Sequence, residues 1–323
     1  MADDLTLTRR LRIAGSRTVA EGIREFTLTD PDGAALPPFA AGSHLPVRVP
    51  NGMLRRYSLA NDPAEGDRYV IAAKREAGGA GGSRSLVDAA RDGDVLEAGD
   101  PQDDFGLTGK NVPHLFVAGG IGITPLLSMA RHLLSSGGPA FQLVYLTRSA
   151  AMTAYREELS APAFRGKVRI HHDEGDPDRA FDLWPLLEAP KGRQLHCCGP
   201  RGLMEAVRDM TGHWPTSAVH FEDFGGAAAA RRADDAPFAL RLARSGTVVA
   251  VPADRSALAA LREAGVTLPF SCEGGTCGSC RTGLVAGEVD HRDFALTEEE
   301  RAQYWMPCVS RAAAPGGELV ADL

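Results

Sequence analysis

The sequence predicts a multidomain protein in which a small β-barrel is followed by a parallel α/β sheet and then by a third domain built around cysteines. Three observations lead to this prediction. The length of 323 residues allows two or three domains. The apolar pattern changes from short strands to strand–helix alternation near residue 108. Finally, three of the six cysteines fall between residues 272 and 280.

We place the domain boundaries where the composition changes. The β-barrel is expected over residues 1–107 and the α/β domain over residues 108–226. Residues 227–236 are rich in Ala, Arg and Asp and are interpreted as a linker. The third domain then occupies residues 237–323.

The first domain is predicted from short β-type stretches separated by turns. Residues 25–29, 45–49 and 69–74 are rich in apolar or β-branched residues, and Pro and Gly recur between them. Many short strands joined by turns are typical of a small barrel.

The second domain is predicted from the alternation of strands and helices. Short buried-strand patterns occur at 115–118, 142–147, 168–171 and 195–198, with helical runs at 126–134 and 203–210. This alternation favours a parallel sheet covered by helices. In the third domain, strands are expected at 238–242 and 247–251, and a helix at 256–264.

The charge and the apolar content exclude several classes of function. The net charge of −7 disfavours nucleic acid as a partner, because phosphate binding needs a basic face. No apolar run approaches the ~20 residues of a membrane span, and the N-terminus lacks the apolar core of a signal peptide. We therefore expect a cytoplasmic protein that binds neither nucleic acid nor membrane.

The cysteines of the third domain have the spacing of a plant-type [2Fe–2S] cluster. Cys272, Cys277 and Cys280 form C-x4-C-x2-C, and Cys308 supplies a distant fourth thiol. Glycines within the loop allow the sharp turns that wrap two irons. A zinc site is the alternative, but zinc sites usually show paired C-x2-C motifs. We expect these four cysteines to be the metal ligands.

Two glycine-rich turns follow strands of the α/β domain. The first contains Gly120, Gly122, Thr124 and Pro125, and the second is Cys198-Gly199-Pro200. In such sheets ligands bind at the carboxyl ends of the strands, where glycine lets a pyrophosphate approach a helix N-terminus. Two tight turns without a ligand are the alternative.

A third pattern lies in the β region. Arg55-Arg56-Tyr57-Ser58 combines a cation, an aromatic face and a hydroxyl, as a flavin site requires. Residues 81–85, Gly-Gly-Ser-Arg-Ser, are expected to form a loop rich in N–H groups that suits a phosphate. An ordinary strand and a plain flexible loop are the alternatives.

These motifs, in this order, resemble the phthalate dioxygenase reductase family. Longer stretches such as 69–75, 210–215 and 290–293 also look like that family, and the resemblance covers nearly the whole chain. It implies a flavin-binding β-barrel of the ferredoxin-reductase type, an α/β parallel-sheet NAD domain and an α+β ferredoxin domain of the β-grasp type. The implied cofactors are FMN, NADH and one [2Fe–2S] cluster, with FAD as the alternative flavin.

The resemblance also implies roles for individual residues. Arg55 would lie at the FMN phosphate, with Arg56 beside it and Tyr57 and Ser58 near the flavin ring. The isoalloxazine would be lined by Ala72, Ala73 and Lys74, the phosphate by Gly81, Gly82, Ser83 and Ser85, and the ring would be covered by Phe224. Thr124 would lie near flavin and nicotinamide. Arg148 follows the second α/β strand, where a 2′-phosphate of NADP is read in some proteins, but the resemblance favours NADH.

The implied function is that of the NADH-dependent reductase component of a two-component Rieske oxygenase. Electrons would pass from NADH to FMN, then to the cluster, and then to a separate oxygenase in a transient complex. A cytochrome P450 or another one-electron acceptor is the alternative, and a redox-sensing module is a non-enzyme alternative. We expect a monomer, and we assign no catalytic acid, base or nucleophile.

Overall fold

The computed structural model of the chain describes residues 7–78, 80–109, 111–226 and 230–323. They form two compact units, Met1–His220 and Phe221–Leu323. The first unit contains two sheets, and the boundary falls within the last strand of the second sheet. Residues 227–229 of the expected linker lie outside the described residues.

The first sheet is an antiparallel barrel of six strands. The strands are β1 (Arg9–Ala20), β2 (Ile23–Thr29), β3 (His44–Arg48), β4 (Leu54–Ser58), β5 (Tyr69–Lys74) and β6 (Val95–Ala98), in the order β4-β3-β6-β1-β2-β5. A bridge between Leu59 and Ile71 joins the two outer strands and closes the barrel. Its core contains Phe26, Leu45 and Leu96.

A helix forms where a phosphate-binding loop was expected. Helix α1 spans Gly82–Ala89, so of residues 81–85 only Gly81 remains outside it. The expectation of a loop is wrong here because Leu86 is fully buried in the barrel core and anchors the helix. Gly81 has a φ of 92°, which an L-residue rarely adopts, and it begins the helix.

The second sheet is a parallel α/β sheet. Its strands are β7 (His114–Gly119), β8 (Phe141–Thr147), β9 (Val168–His172), β10 (Gln194–Cys198) and β11 (Val219–Glu222), and its helices are α2 (Ile123–Ser135), α3 (Arg156–Leu159), α4 (Trp184–Leu187) and α5 (Arg201–Met210). The order is β11-β10-β7-β8-β9. The chain adds β8 and β9 on one side of β7 and then β10 on the other side. This switch point between β7 and β10 is where such sheets bind ligands.

Helix α2 fastens the parallel sheet to the barrel. The Ser128 hydroxyl donates to the carbonyl of Asn61 at 2.7 Å, and the Arg131 guanidinium donates to the carbonyl of Ala60 at 2.6 Å. Arg131 also pairs with Glu158 at 2.6 Å. These bonds hold the segment that follows β4 against the helix that follows β7.

The second unit is an α+β fold. Its mixed sheet contains β12 (Phe238–Leu242), β13 (Val248–Val251), β14 (Thr282–Ala286), β16 (Tyr304–Trp305) and β18 (Glu318–Ala321), in the order β13-β12-β18-β14-β16, while β15 (Val289–Asp290) pairs with β17 (Arg311–Ala312). Strands β12 and β18 are parallel, and the other pairs are antiparallel. The helix Ala257–Glu263 packs on this sheet through Leu261. A short helix, Glu298–Arg301, begins at a capping box formed by Thr297 and Glu300.

The multidomain fold class is confirmed. Within the described residues, no helix has both the length and the apolar character needed to cross a membrane.

Three histidine rings meet at one side of the parallel sheet. His114, His196 and His220 come from β7, β10 and β11, with ring centroids 5.5 Å apart for the first pair and 4.7 Å for the second. Burial lowers the pKa of His114 to about 4 and lowers the pKa of His196 and His220 as well. The rings are therefore neutral and packed at neutral pH.

We expect this cluster to make the first unit sensitive to acid. The unfolded rings titrate near pH 6.5, so below that pH the unfolded chain binds protons that the folded chain rejects. Stability should fall as the pH decreases from about 6.5 towards 4, with about 3 kcal/mol from His114 alone by pH 4. Chemical denaturation at several pH values measures this.

The matched variant is His114→Phe, which keeps a ring stacked on Phe116 and removes the titrating group. It should flatten the pH dependence, whereas the exposed His213→Gln should follow the wild type. An unchanged pH profile in His114→Phe would contradict the assignment.

Candidate functional site

The four cysteines of the predicted cluster meet as two pairs. Cys272 pairs with Cys277, and Cys280 pairs with Cys308, each through contact between the side chains. Cys308 also interacts electrostatically with the other three. No group of three or more His, Cys, Asp or Glu in the described ranges is arranged to hold one metal ion. Two pairs of thiols fit a [2Fe–2S] cluster, in which each iron takes two protein ligands.

Backbone N–H groups converge on the Cys272 sulfur. Gly274, Thr276 and Cys277 point their N–H groups at the Cys272 Sγ from 3.3, 3.4 and 3.4 Å. Contact with the Cys277 thiol lowers the pKa of Cys272, and the Thr276 side chain and these N–H groups act in the same direction against burial. The loop is thus arranged to hold a thiolate, the form that binds iron.

The loop requires glycine at one position for lack of space. Gly275 has a φ of 79°, and a Cβ there would lie 2.6 Å from Val309 Cγ2 and 3.1 Å from the Asp293 Cα. Gly278 has a similar φ of 76°, but a Cβ there would have nothing within 4 Å. Of these two glycines, only Gly275 combines a φ that strains other residues with a lack of space for a Cβ.

The two glycine-rich turns of the α/β domain pack directly on each other. Gly119 ends β7, and a Cβ there would lie 2.6 Å from Pro200 Cδ. A Cβ on Gly122 would lie 2.2 Å from the Cys198 carbonyl oxygen. Gly120 has a φ of 52° and nothing near its Cβ position, so its face of the turn is open. Predicted nucleotide residues from both turns are thus brought together at the carboxyl ends of β7 and β10.

The remaining predicted nucleotide residues differ in exposure. Thr124 and Pro125 are buried in the first turn of α2, and the Thr124 hydroxyl donates to the Ile121 carbonyl at 3.1 Å. The Cys198 side chain is buried in the apolar core. Arg148 is exposed directly after β8, at the same edge of the sheet as the two turns.

The predicted flavin residues of β4 lie beside the start of α1. A Cβ on Gly82 would lie 2.5 Å from the Arg55 Nε, so the guanidinium covers the first residue of the helix. No side chain caps this helix N-terminus. A cation next to uncapped N–H groups is a suitable place for a phosphate.

Hydrogen bonds of the Ser85 and Asn51 side chains hold the start of α1 in place. The Ser85 hydroxyl accepts the Asn51 N–H at 2.8 Å, and the Asn51 amide donates to the Gly81 carbonyl at 3.3 Å. Ser83 accepts the Glu76 N–H at 3.3 Å, which leaves its proton free to donate. Asn51 was missed as a site residue because Asn-Gly at 51–52 indicates only a turn.

Tyr57 carries a polar atom that needs a partner. Its hydroxyl is buried and has no hydrogen bond within the described residues. Burial raises the pKa of Tyr57 to about 12, so the hydroxyl is protonated and able to donate. Such an orphan group fits a flavin that accepts the bond. Ser58 is buried, and Arg56 lies on the opposite face of β4 from Tyr57.

The alanines of β5 offer backbone rather than side chains. The Ala72 side chain is buried in the core next to the parallel sheet, and the Ala73 side chain is buried in the barrel core. Lys74 is half-buried and pairs with Glu76 at 2.7 Å. Phe224 belongs to the second unit, where its side chain is 44% exposed.

The chain is similar to known proteins over nearly its whole length. Residues 240–313 match the model of the 2Fe-2S iron-sulfur cluster binding domain. The chain is 52% identical to phthalate dioxygenase reductase of Burkholderia cepacia and 50% identical to phthalate 4,5-dioxygenase oxygenase reductase subunit of Pseudomonas putida. These alignments cover 97% of this chain in both cases, and 97% and 96% of the relatives.

A solved structure is similar over the same length. It is phthalate dioxygenase reductase, described as a modular structure for electron transfer from pyridine nucleotides to [2Fe–2S]. The identity is 51%, the TM-score is 0.72, and the alignment covers 97% of each chain.

The enclosed glycine of the cysteine loop leads to a test of cluster assembly. Gly275→Ala should lose most of the cluster, because its Cβ would collide with Val309. Gly278→Ala is the matched control, since it imposes a similar φ strain without a collision. Iron and acid-labile sulfide content of the purified variants measures assembly, and equal content would refute the steric argument.

Arg55 leads to a test of flavin binding. Arg55→Gln should weaken FMN binding about 10- to 100-fold, the loss of one charge-assisted hydrogen bond of about 1.5–3 kcal/mol. Arg48→Gln, on the neighbouring strand and paired with Glu97, should bind FMN like the wild type. Titration of flavin-free protein by fluorescence gives the affinity, and mass spectrometry should identify the flavin released from the wild type as FMN. Released FAD would overturn the FMN assignment.

Proposed function

The chain belongs to the phthalate dioxygenase reductase family, and from this membership we propose that its electron acceptor is a separate Rieske-type oxygenase. The chain is an NADH-dependent oxidoreductase of the flavin and iron–sulfur type, and its cofactors are FMN and a [2Fe–2S] cluster. A flavin supplies the step between a two-electron hydride donor and a one-electron acceptor.

The cysteine loop is the observation that carries the proposal. A flavin and a nucleotide site alone would suit any NADH-oxidising flavoprotein. Four thiols in two pairs, with three N–H groups around the Cys272 sulfur, add a one-electron centre to the same chain. A cytochrome P450 acceptor is less well supported, because both relatives described above are named as dioxygenase reductases.

The chain's own groups bind and orient rather than react. We propose that the pyrophosphate of NADH lies against Gly120 at the carboxyl ends of β7 and β10. The FMN phosphate would lie between Arg55 and the start of α1, and the Tyr57 hydroxyl would donate to the flavin ring. Arg148 would lie at the nucleotide's outer end. We assign no acid, base or nucleophile to the chain, because bound NADH and FMN would supply the hydride chemistry themselves.

The cellular setting is also a proposal. None of the six cysteines is paired in a disulfide, and cysteines remain reduced in a reducing compartment. This supports a cytoplasmic location. The complex with the oxygenase would be transient, since redox partners must separate after each electron, and the reductase itself would be a monomer.

Removal of one cysteine ligand of the cluster should separate flavin reduction by NADH from electron transfer to the acceptor. Cys272→Ser should lose the cluster and keep reduction of the flavin by NADH, because the cysteine loop lies in the second compact unit and the predicted flavin residues of β4, β5 and α1 lie in the first. Stopped-flow absorbance follows the flavin step. Product formation with a Rieske oxygenase that the wild-type chain reduces should disappear. Cys197→Ala, which removes a buried cysteine outside the loop, should keep the cluster.

Two outcomes would contradict the proposed route. Full product formation by Cys272→Ser would mean that electrons leave directly from the flavin. Loss of the flavin step in folded, flavin-loaded Cys272→Ser would mean that the two halves are not separable.

A further inference from the structure

A cavity of about 390 Å³ opens beside Cys308 in the second unit. Its wall contains four arginines, Arg231, Arg255, Arg292 and Arg311, and two acidic residues, Asp254 and Glu273. Cys308 itself is only 1% exposed to water, yet it forms part of this wall. The cavity therefore leads from the surface to a predicted cluster ligand.

The charge of one buried arginine is balanced by carboxylates. Arg292 pairs with Asp235 at 2.7 Å and with Asp290 at 2.6 Å, and it also donates to the Ala230 carbonyl at 2.9 Å. Its side chain is 6% exposed. These contacts give Arg292 a structural role within the fold.

The charge of Arg311 is not balanced in this way. It is held by the carbonyl oxygens of Arg255, Ala236 and Pro252 at 2.7, 2.9 and 2.9 Å. Its carboxylate contact is with Asp235 at 3.9 Å, and that carboxylate already accepts the fork of Arg292. Burial lowers the pKa of Arg311, as expected where a cation is only partly compensated. Arg311 is thus a rigid, incompletely neutralised cation in the cavity wall.

Arg231 extends this positive wall to the surface. It is exposed, and its guanidinium donates to the backbone carbonyl of Asp254 at 2.8 Å. Arg255, the fourth arginine of the wall, pairs with Glu263, so its charge is balanced like that of Arg292. Arg311 and Arg231 are the wall arginines for which the described residues provide no carboxylate partner closer than 3.9 Å. Two such cations in one wall select an anionic group and steer it to one place.

We propose that this cavity receives an acidic side chain of the electron-acceptor protein and so docks the acceptor next to Cys308, an inference that rests on the proposed function. A carboxylate carried by a protein is favoured over free phosphate because Asp254 and Glu273 repel a dianion more strongly than a single charge. The apolar wall residues Ala259 and Val309 suit the methylene groups of an Asp or Glu side chain. Docking here places the acceptor beside a ligand of the cluster.

Arg231→Glu tests the proposal, because this residue is exposed and its replacement leaves the buried arginines in place. Arg244→Glu is the matched control, an exposed arginine of the same unit that pairs with Asp322 at 2.9 Å away from the cavity wall. Isothermal titration calorimetry of the oxidised holoprotein with a Rieske oxygenase that the wild type reduces gives the Kd at low salt. NADH oxidation with ferricyanide normalises each preparation.

Arg231→Glu should raise the Kd for the oxygenase about tenfold, and Arg244→Glu should change it less than about twofold. Added salt should weaken binding of the wild type more than that of Arg231→Glu. Equal changes in the two variants would overturn the inference. So would binding of inorganic phosphate that Arg231→Glu abolishes while the Kd for the oxygenase stays unchanged, since the cavity would then serve small anions.

Failure of the proposed function has a different signature. A wild-type protein that neither binds a Rieske oxygenase nor supports its turnover would overturn the proposed acceptor, and this docking site with it. The inference alone fails when the wild type supports turnover and both variants bind the oxygenase equally well.

Discussion

The close approach of two glycine turns is the constraint on which the first unit depends. Strands β7 and β10 are neighbours, and a Cβ on Gly122 would lie 2.2 Å from the carbonyl oxygen at the end of β10. Gly119 and Gly199 likewise leave no room for side chains between the turns. As a result, helices α2 and α5 both begin at one edge of the sheet. Helix N-termini favour anions, so a steric requirement of the backbone also creates a place for a pyrophosphate.

Helix α2 transmits this constraint to the barrel. The start of α2 follows the first glycine turn, and its middle holds the carbonyls of Ala60 and Asn61 through Arg131 and Ser128. Those carbonyls come directly after β4, the strand of Arg55 and Tyr57. Strand β5 also lies next to the turn at Gly120–Gly122. Helix α2 therefore couples the position of the predicted flavin strand to that of the predicted nucleotide turn, as the proposed hydride transfer requires.

The fold class could be predicted from the sequence because it depends on local periodicity. The helical run at 126–134 lies within α2, and the expected strand at 142–147 lies within β8. Strand β1 could not be recognised, because only two of its twelve residues, Leu11 and Ile13, are buried. The sequence predicts a loop at the start of α1, since Gly and Ser there signal turns, whereas burial of Leu86 decides in favour of a helix.

The candidate site was predictable only in part for a similar reason. The cysteine set follows from spacing within one short loop. The contact between Arg55 and Gly82, the tether from Asn51 and the stacking of His114 on His196 join residues far apart in the chain. Such contacts depend on how strands are ordered in a sheet, and no local pattern encodes that order.

The two buried arginines of the second unit show how burial distinguishes structure from function. Both are fixed by several hydrogen bonds, so both have lost the conformational entropy of a long, mobile side chain. Ion pairs with two carboxylates offset the desolvation of Arg292, and these pairs are enough to explain its presence. Arg311 is held by carbonyl oxygens, which supply partial charges and leave most of the cationic field intact. A buried cation of this kind lowers stability unless an anion completes its environment. Arg311 shares a wall with Cys308, so an anion supplied from outside the chain would complete its environment beside a ligand of the cluster.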